Sequence, residues 1–337
     1  MDLATIRENA RQKLSPACKV CPVCNGVACA GQIPGMGGVG TGRSFQNNIH
    51  ALAACRLHMR TVHDVIEPKL DCTILGMNLS IPVIGAAIGG ISINANNMMP
   101  EVDYCRAIVG GCKAAGVVGM TGDGPKPELF EAGLTALREA GGFGIPIIKP
   151  REVDAVIELA NRAADAGAPA FGMDIDAAYL VNMKRAGQPV FPKTVEQLAK
   201  IKAETRIPFI VKGIMSPIDA ELCCQAGVDA IVVSNHGGRA LDDLPGTAEV
   251  LAEIADTVDK RLTIVADGGI RSGGDILKML SLGADAVLVG RPLLVGAAGG
   301  GAQGVTFMLD KLKGELEAAM ILTGTSDVSD VDPDVIW

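Results

Sequence analysis

From about residue 81 the chain alternates short apolar runs with amphipathic stretches. The runs are IPVIGAA (81–87), VVGM (117–120), IPIIK (145–149), PAFGMD (169–174), PFIVKG (208–213), DAIVVS (229–234), LTIVAD (262–267) and DAVLVG (285–290). Several are continuously apolar, as strands covered on both faces must be. Between them the period changes to that of a helix. In 151–167, Val153, Val156, Ile157 and Ala160 fall on one helical face and Gly167 supplies a C-cap. In 217–227, Pro217 opens a helix where its missing N–H costs nothing, and Gly227 closes it.

Eight strands, seven intervening helices and a helical tail at about 305–322 predict an α/β fold, a single closed (β/α)8 TIM barrel over residues 81–322. A doubly wound open sheet is the alternative, disfavoured because no GxGxxG follows the first strand. Residues 1–80 read as a Cys-rich N-terminal extension without a full set of elements of its own, and 323–337 as an acidic, irregular tail.

Composition narrows the chemistry. With 337 residues the chain is long enough for a large core, and its 48% hydrophobic content excludes a disordered polymer. A net charge of −8 with only 7 Phe, 2 Tyr and 1 Trp argues against a nucleic-acid surface. No apolar leader precedes the first helix, and no unbroken apolar run is long enough to span a membrane, so a soluble protein without a membrane partner is expected. Ten cysteines without a leader suggest a reducing, cytoplasmic setting. The 42 glycines exceed the average share and point to tight turns or close backbone approach to a ligand.

A barrel of this kind carries its site at the C-terminal ends of the strands. Those ends hold Asp174 (strand four), Lys212 (strand five), Ser234 to Arg239 (strand six), Asp267 to Gly274 (strand seven) and Gly290-Arg291 (strand eight). The loops after strands seven and eight are the barrel's usual phosphate site; here Gly268, Gly269 and Gly290 open the backbone, and Arg271 and Arg291 can pair with an anion. His236 can act as general base near neutral pH, Arg239 can grip a carboxylate with two parallel hydrogen bonds, and Asp174 can orient the imidazole. A buried Lys212 needs a facing negative charge.

The segments SNHGGRALD (234–242), IVADGGIRSGGD (264–275) and GADAVLVGRPLL (283–294), with RLHMRTVHDV (56–65) and TILGMNLSIPVIGAA (73–87), resemble the FMN-dependent α-hydroxy-acid oxidase and dehydrogenase family over about residues 45–300. The resemblance implies oxidation of a 2-hydroxy acid to a 2-oxo acid, with electrons passed to FMN. It implies His236 as the base, Asp174 supporting the imidazolium, Arg239 on the substrate carboxylate and Lys212 beside the pyrimidine end of the flavin. Asp267, Gly268, Gly269, Arg271, Gly290 and Arg291 would hold the phosphate-bearing chain, Ala86, Ala87 and Ile88 would lie against the ring, and Thr121 near its edge. A small carboxylate substrate, an unidentified electron acceptor and a homo-oligomer are expected.

The chain departs from the family in three places. The family's N-terminal Tyr has no counterpart in GQIPGMGGVG (31–40). The Gln and Tyr of strand three are replaced in a run ending in Lys149. The second carboxylate-binding Arg after the strand-four Asp is missing, with Val181 near its place and Lys184, Arg185, Tyr179 or Lys149 as stand-ins. A substrate larger or differently charged than lactate or glycolate is therefore expected.

Cys18, Cys21, Cys24 and Cys29 follow the spacing C-x2-C-x2-C-x4-C, which suits an iron–sulfur cluster or zinc; small buried or redox-labile thiols are the alternative. Two rival functions stay open: a flavin-dependent isomerase or reductase on the same barrel, and a non-catalytic flavin- or metal-binding electron-transfer protein.

Overall fold

The computed structural model describes residues 1–337, the side chains of Val181 and Asn182 excepted. A small antiparallel hairpin, β1 (Cys72–Ile74) and β2 (Met77–Leu79), leads into eight parallel strands. These are β3 (Val83–Gly85), β4 (Val118–Thr121), β5 (Ile145–Ile148), β6 (Phe171–Asp174), β7 (Phe209–Ile214), β8 (Ala230–Val233), β9 (Thr263–Ala266) and β10 (Ala286–Val289). They close in sequence order, with β10 pairing β3. Each coincides with one of the eight apolar runs to within a residue, so the (β/α)8 barrel read from the sequence is the fold.

The continuous apolarity of the runs has a direct cause. Neighbouring residues of a strand face opposite sides, and here both sides are buried. Ile84, Val118, Met120, Ile145, Ile147, Ile210, Val232 and Leu288 fill the barrel interior. Their neighbours, including Val83, Ile148, Phe171, Val211, Ile231 and Val287, pack outward against the helices. Ile74 and Leu79 join the interior cluster, so the hairpin plugs the end of the barrel where the strands begin. The opposite end is left for the site.

The extension packs on the barrel. Its first helix, Leu3–Leu14, is capped by Asp2 and buries Ile6, Ala10 and Leu14. It lies on the helix Arg291–Thr323 at so close a distance that a Cβ on Gly299 would stand 2.1 Å from the Ile6 carbonyl oxygen. A second helix, Arg43–Ala54, lies on Thr247–Val258.

Arg291–Thr323 is apolar and long enough, by composition alone, to cross a membrane. Its backbone breaks at Gly301 (φ 58°), and it packs on the first helix and on Glu101–Ala114, closing the barrel's helical layer. The tail departs from the expected irregular form. A 3-10 turn, Pro333–Val335, buries Val335, Ile336 bridges to Leu57, and Trp337 N–H donates to Arg56 O at 2.8 Å.

Candidate active site at the C-terminal ends of the strands

The cavity at this end measures about 410 Å³, within the usual range for small-molecule sites of roughly 300–1,000 Å³. His236 sits on the loop after β8 with φ 58°, followed by Gly237 and Gly238, both also at positive φ. A non-glycine residue in this region needs support from its surroundings. Asn235 provides it: its Oδ1 accepts from Gly238 N–H at 3.0 Å, and its side chain exchanges hydrogen bonds with Asn48 on the helix Arg43–Ala54. Both asparagines are buried. The extension therefore holds the loop that aims the imidazole.

His236 Nδ1 lies 2.8 Å from Asp176 Oδ1, and Nε2 lies 4.0 Å from Asp174 Oδ2. Asp176 is buried, which opposes its ionisation, but the charges of His236 and Lys212 and the hydrogen bond from His236 outweigh burial and hold its carboxyl below the usual range. An ionised Asp176 can only accept, so Nδ1 carries the proton. Nε2 is left as the basic nitrogen.

Asp174 also pairs with Lys149 Nζ, both buried. Lys212 Nζ donates to Ser234 Oγ at 2.7 Å and lies 3.3 Å from Asp267 Oδ2. Burial disfavours its charge, yet Asp267, Asp176 and Asp174 together push Lys212 above the ordinary lysine value. One oxygen each of Asp174, Asp176 and Asp267 is buried without a hydrogen-bond partner.

At the ends of β9 and β10 the charge is positive. Arg271 donates to the Cys24 and Ile270 carbonyls, and Arg291 to the Met36 and Gly237 carbonyls. Arg291 stacks on Phe45, 3.8 Å from the ring centroid. Burial, then repulsion from Arg271 and Arg239, lowers Arg291 to about 10, although Cys24 and Cys29 oppose the shift. Arg239, lowered by burial, donates to the carbonyls of Gly35 and Gly37 and to Asn94 Oδ1. None of these arginines is paired with a carboxylate among the described residues.

These features fit FMN. Two closely spaced guanidinium groups with no carboxylate of their own suit a phosphate. The unpartnered Asp267 oxygen suits a hydroxyl donor of the ribityl chain. Ala86, Ala87, Ile88, Leu288 and Gly290 offer an apolar wall for a ring.

Asp174, Lys212, His236, Arg239, Asp267, Gly268, Gly269, Arg271, Gly290, Arg291, Ala86, Ala87 and Ile88 all line this cavity, as the sequence led us to expect. Thr121 does not. It is buried and turned toward the helix Pro127–Glu139, where a Cβ on Gly133 would meet its Oγ1 at 2.6 Å. It ends β4 on the outward-facing set, and Gly122, Asp123 and Gly124 line the cavity instead. Cys18, Cys21, Cys24 and Cys29 are also outside the lining.

Of the stand-ins for the absent arginine, Lys149 alone is buried at the cavity. Tyr179 is at the rim and 77% exposed, with Lys184 over its ring, and Arg185 is exposed. The side chain of Val181 lies outside the described residues. Two features were not read from the sequence. Asp176, rather than Asp174, is the direct hydrogen-bond partner of His236; its signal was a second carboxylate two residues beyond the strand-four Asp. The other is the buried pair Asp123–Arg151, in which Asp123 Oδ2 also accepts from Lys149 N–H at 3.0 Å.

The sequence profile described as FMN-dependent dehydrogenase matches residues 35–193 and 187–337. A 2-hydroxyacid oxidase of Dictyostelium discoideum is 49% identical over 144 residues, 43% of this chain and 37% of that one. The 2-hydroxyacid oxidase 1 of Mus musculus is 31% identical over 336 residues, 87% of this chain and 88% of that one. Among solved structures, a mandelate oxidase with (S)-2-phenylpropionate superposes with a TM-score of 0.77 at 30% identity, covering 98% of this chain and 96% of that one.

Proposed function

This chain belongs to the FMN-dependent dehydrogenase family, and we propose that it oxidises a 2-hydroxy acid to the 2-oxo acid with His236 Nε2 as the base. The observation that carries the assignment is the Asp176–His236 contact, which leaves Nε2 as the proton acceptor at the cavity. Bound FMN supplies a two-electron acceptor.

Each residue has a task. Asp176 and Asp174 stabilise the imidazolium formed when His236 takes a proton. Lys212, kept cationic by three aspartates, stabilises negative charge developing beside it in a site shielded from water. Arg271 and Arg291 hold the cofactor phosphate, and Asp267 holds the chain between phosphate and ring.

The substrate clamp is reorganised. Arg239 has spent three donors on Gly35, Gly37 and Asn94, leaving two of a guanidinium's five N–H groups. Lys149, at the end of β5 and paired with Asp174, supplies the second cation for the carboxylate in place of the missing arginine. A lysine is a point charge and fixes orientation less tightly than an arginine. This supports a substrate oriented by contacts beyond its carboxylate, larger than lactate or glycolate. The free cysteines support a reducing, cytoplasmic setting.

The test is anaerobic titration of the FMN-loaded protein with 2-hydroxy acids of graded size. Loss of the oxidised flavin absorbance, with one equivalent of 2-oxo acid formed, supports the assignment. A flavin that stays oxidised with every member, while a reductant such as dithionite bleaches it, contradicts it.

A further inference from the structure

Four cysteines stand outside the chemistry described so far. Cys18, Cys21, Cys24 and Cys29 are half-buried and free. They lie between the helices Leu3–Leu14 and Arg43–Ala54, in a connection with no helix or strand of its own. A stretch this long inside a compact domain is uncommon unless it has a function or a tether.

The stretch is folded back on itself. Met36 N–H donates to Ala17 O at 3.0 Å, Lys19 Nζ to Ala28 O at 2.8 Å, and Arg7 holds the Cys21 carbonyl at 2.6 Å. The segments that carry the first and last of the four cysteines are thereby brought together. Four cysteines gathered in one folded-back connection suit a shared cationic core, which their thiolates would ligate.

Hydrogen-bond donors reach two of the sulfurs. Arg271 Nη2 donates to Cys24 Sγ at 3.4 Å, and Val20 N–H to Cys18 Sγ at 3.5 Å. Among the described residues, the Arg271 guanidinium has no carboxylate partner.

Sulfur spacing separates the candidate centres. Among the described residues, the group of three ligand atoms lying within 4.8 Å of one another is Asp174, Asp176 and His236; no three cysteine sulfurs do so. A single zinc ion, bound at about 2.3 Å from each sulfur, needs them tighter than this. A cluster of several irons spreads its thiolates around a larger core.

We propose that Cys18, Cys21, Cys24 and Cys29 ligate one iron–sulfur cluster, set one side chain away from the catalytic cavity. That side chain is Arg271, which lines the cavity and touches Cys24. The cluster's role rests on the proposed 2-hydroxy-acid oxidation. Converting the hydroxy acid to the oxo acid releases two electrons and two protons. The cluster takes up one electron at a time, so each turnover sends two in succession to a one-electron carrier protein, the external oxidant, while the protons leave to solvent.

The test uses the full chain purified without oxygen and assayed for iron, acid-labile sulfide, zinc and released FMN. Iron and sulfide in matching amounts are expected, with an electron paramagnetic resonance signal on reduction by dithionite. Cys18→Ser and Cys21→Ser should lose both while keeping FMN. Zinc without sulfide, or neither metal, in the wild-type chain overturns the proposal, as does full iron and sulfide in the Cys18→Ser, Cys21→Ser double variant. If a variant does not fold, the wild-type iron, sulfide and resonance signal decide. Counting iron and sulfide needs no turnover, so a failure here is distinct from failure to oxidise a 2-hydroxy acid.

Discussion

Asp176 Oδ1 accepts a hydrogen bond from His236 Nδ1 at 2.8 Å, across 60 residues of sequence, each residue lying just beyond the end of a different strand of the barrel. The contact sets which ring nitrogen is basic and places a negative charge where an imidazolium forms. Asp176→Asn removes the charge and keeps the shape. The kcat should fall by about 10- to 10²-fold, because the imidazolium formed in the reaction loses its facing charge. Steady-state kinetics check this; an unchanged kcat assigns the orienting role elsewhere.

Asp176 and Lys212 also bear on stability. The folded-state value of Asp176 is depressed, so its contribution is present above the unfolded carboxylate value of about 3.9 and is lost as pH falls through the folded value. The folded-state value of Lys212 is raised, so its contribution is present below about 10.4 and is lost as pH rises through the folded value. Cofactor-free wild type should therefore lose thermal stability at the alkaline end. Lys212→Met should flatten that alkaline fall, measured by melting temperature between neutral pH and pH of about 11. A parallel fall in both proteins contradicts the assignment.

The two arginines at the ends of β9 and β10 should govern cofactor retention rather than chemistry. Arg291→Ala or Arg271→Ala should weaken FMN binding by about 10- to 10²-fold, the loss of one charge-assisted contact to phosphate. In each variant saturated with FMN, flavin reduction by substrate should stay within a few-fold of wild type. Equilibrium dialysis gives the first quantity and anaerobic stopped flow the second.

Lys149 is a buried cation at the cavity, paired with Asp174. Lys149→Met should raise KM by roughly 10-fold or more, with a smaller effect on kcat, because it removes a cation that holds the substrate. Lys149→Arg should restore part of the affinity. Equal KM values in Lys149→Met and wild type would place the carboxylate elsewhere.

The parts of this molecule legible in its sequence share a physical basis. The eight runs were visible because strands buried on both faces carry few polar residues away from their C-terminal ends, so Ile231 and Val232, or Phe171 and Gly172, read as one block. Strand-end residues such as Lys212 and Asp267 stood out as polar groups terminating those blocks. What escaped depends on direction and on distant contacts. Thr121 ends β4, but its alternation phase turns it to the helices. Asp176 is in a 3-10 turn, Ile175–Ala177, whose path alone brings its carboxylate under the imidazole. The pairing of Asn48 with Asn235 joins residues 187 positions apart, and nothing local to either announces it.

The central claim is that His236 is the base, and anaerobic single-turnover reduction of bound FMN tests it most directly. With a 2-hydroxy acid that reduces the wild type, His236→Ala should retain FMN and its oxidised spectrum but reduce about 10²-fold or more slowly at saturating substrate. Reduction of the His236→Ala flavin at the wild-type rate would contradict the account.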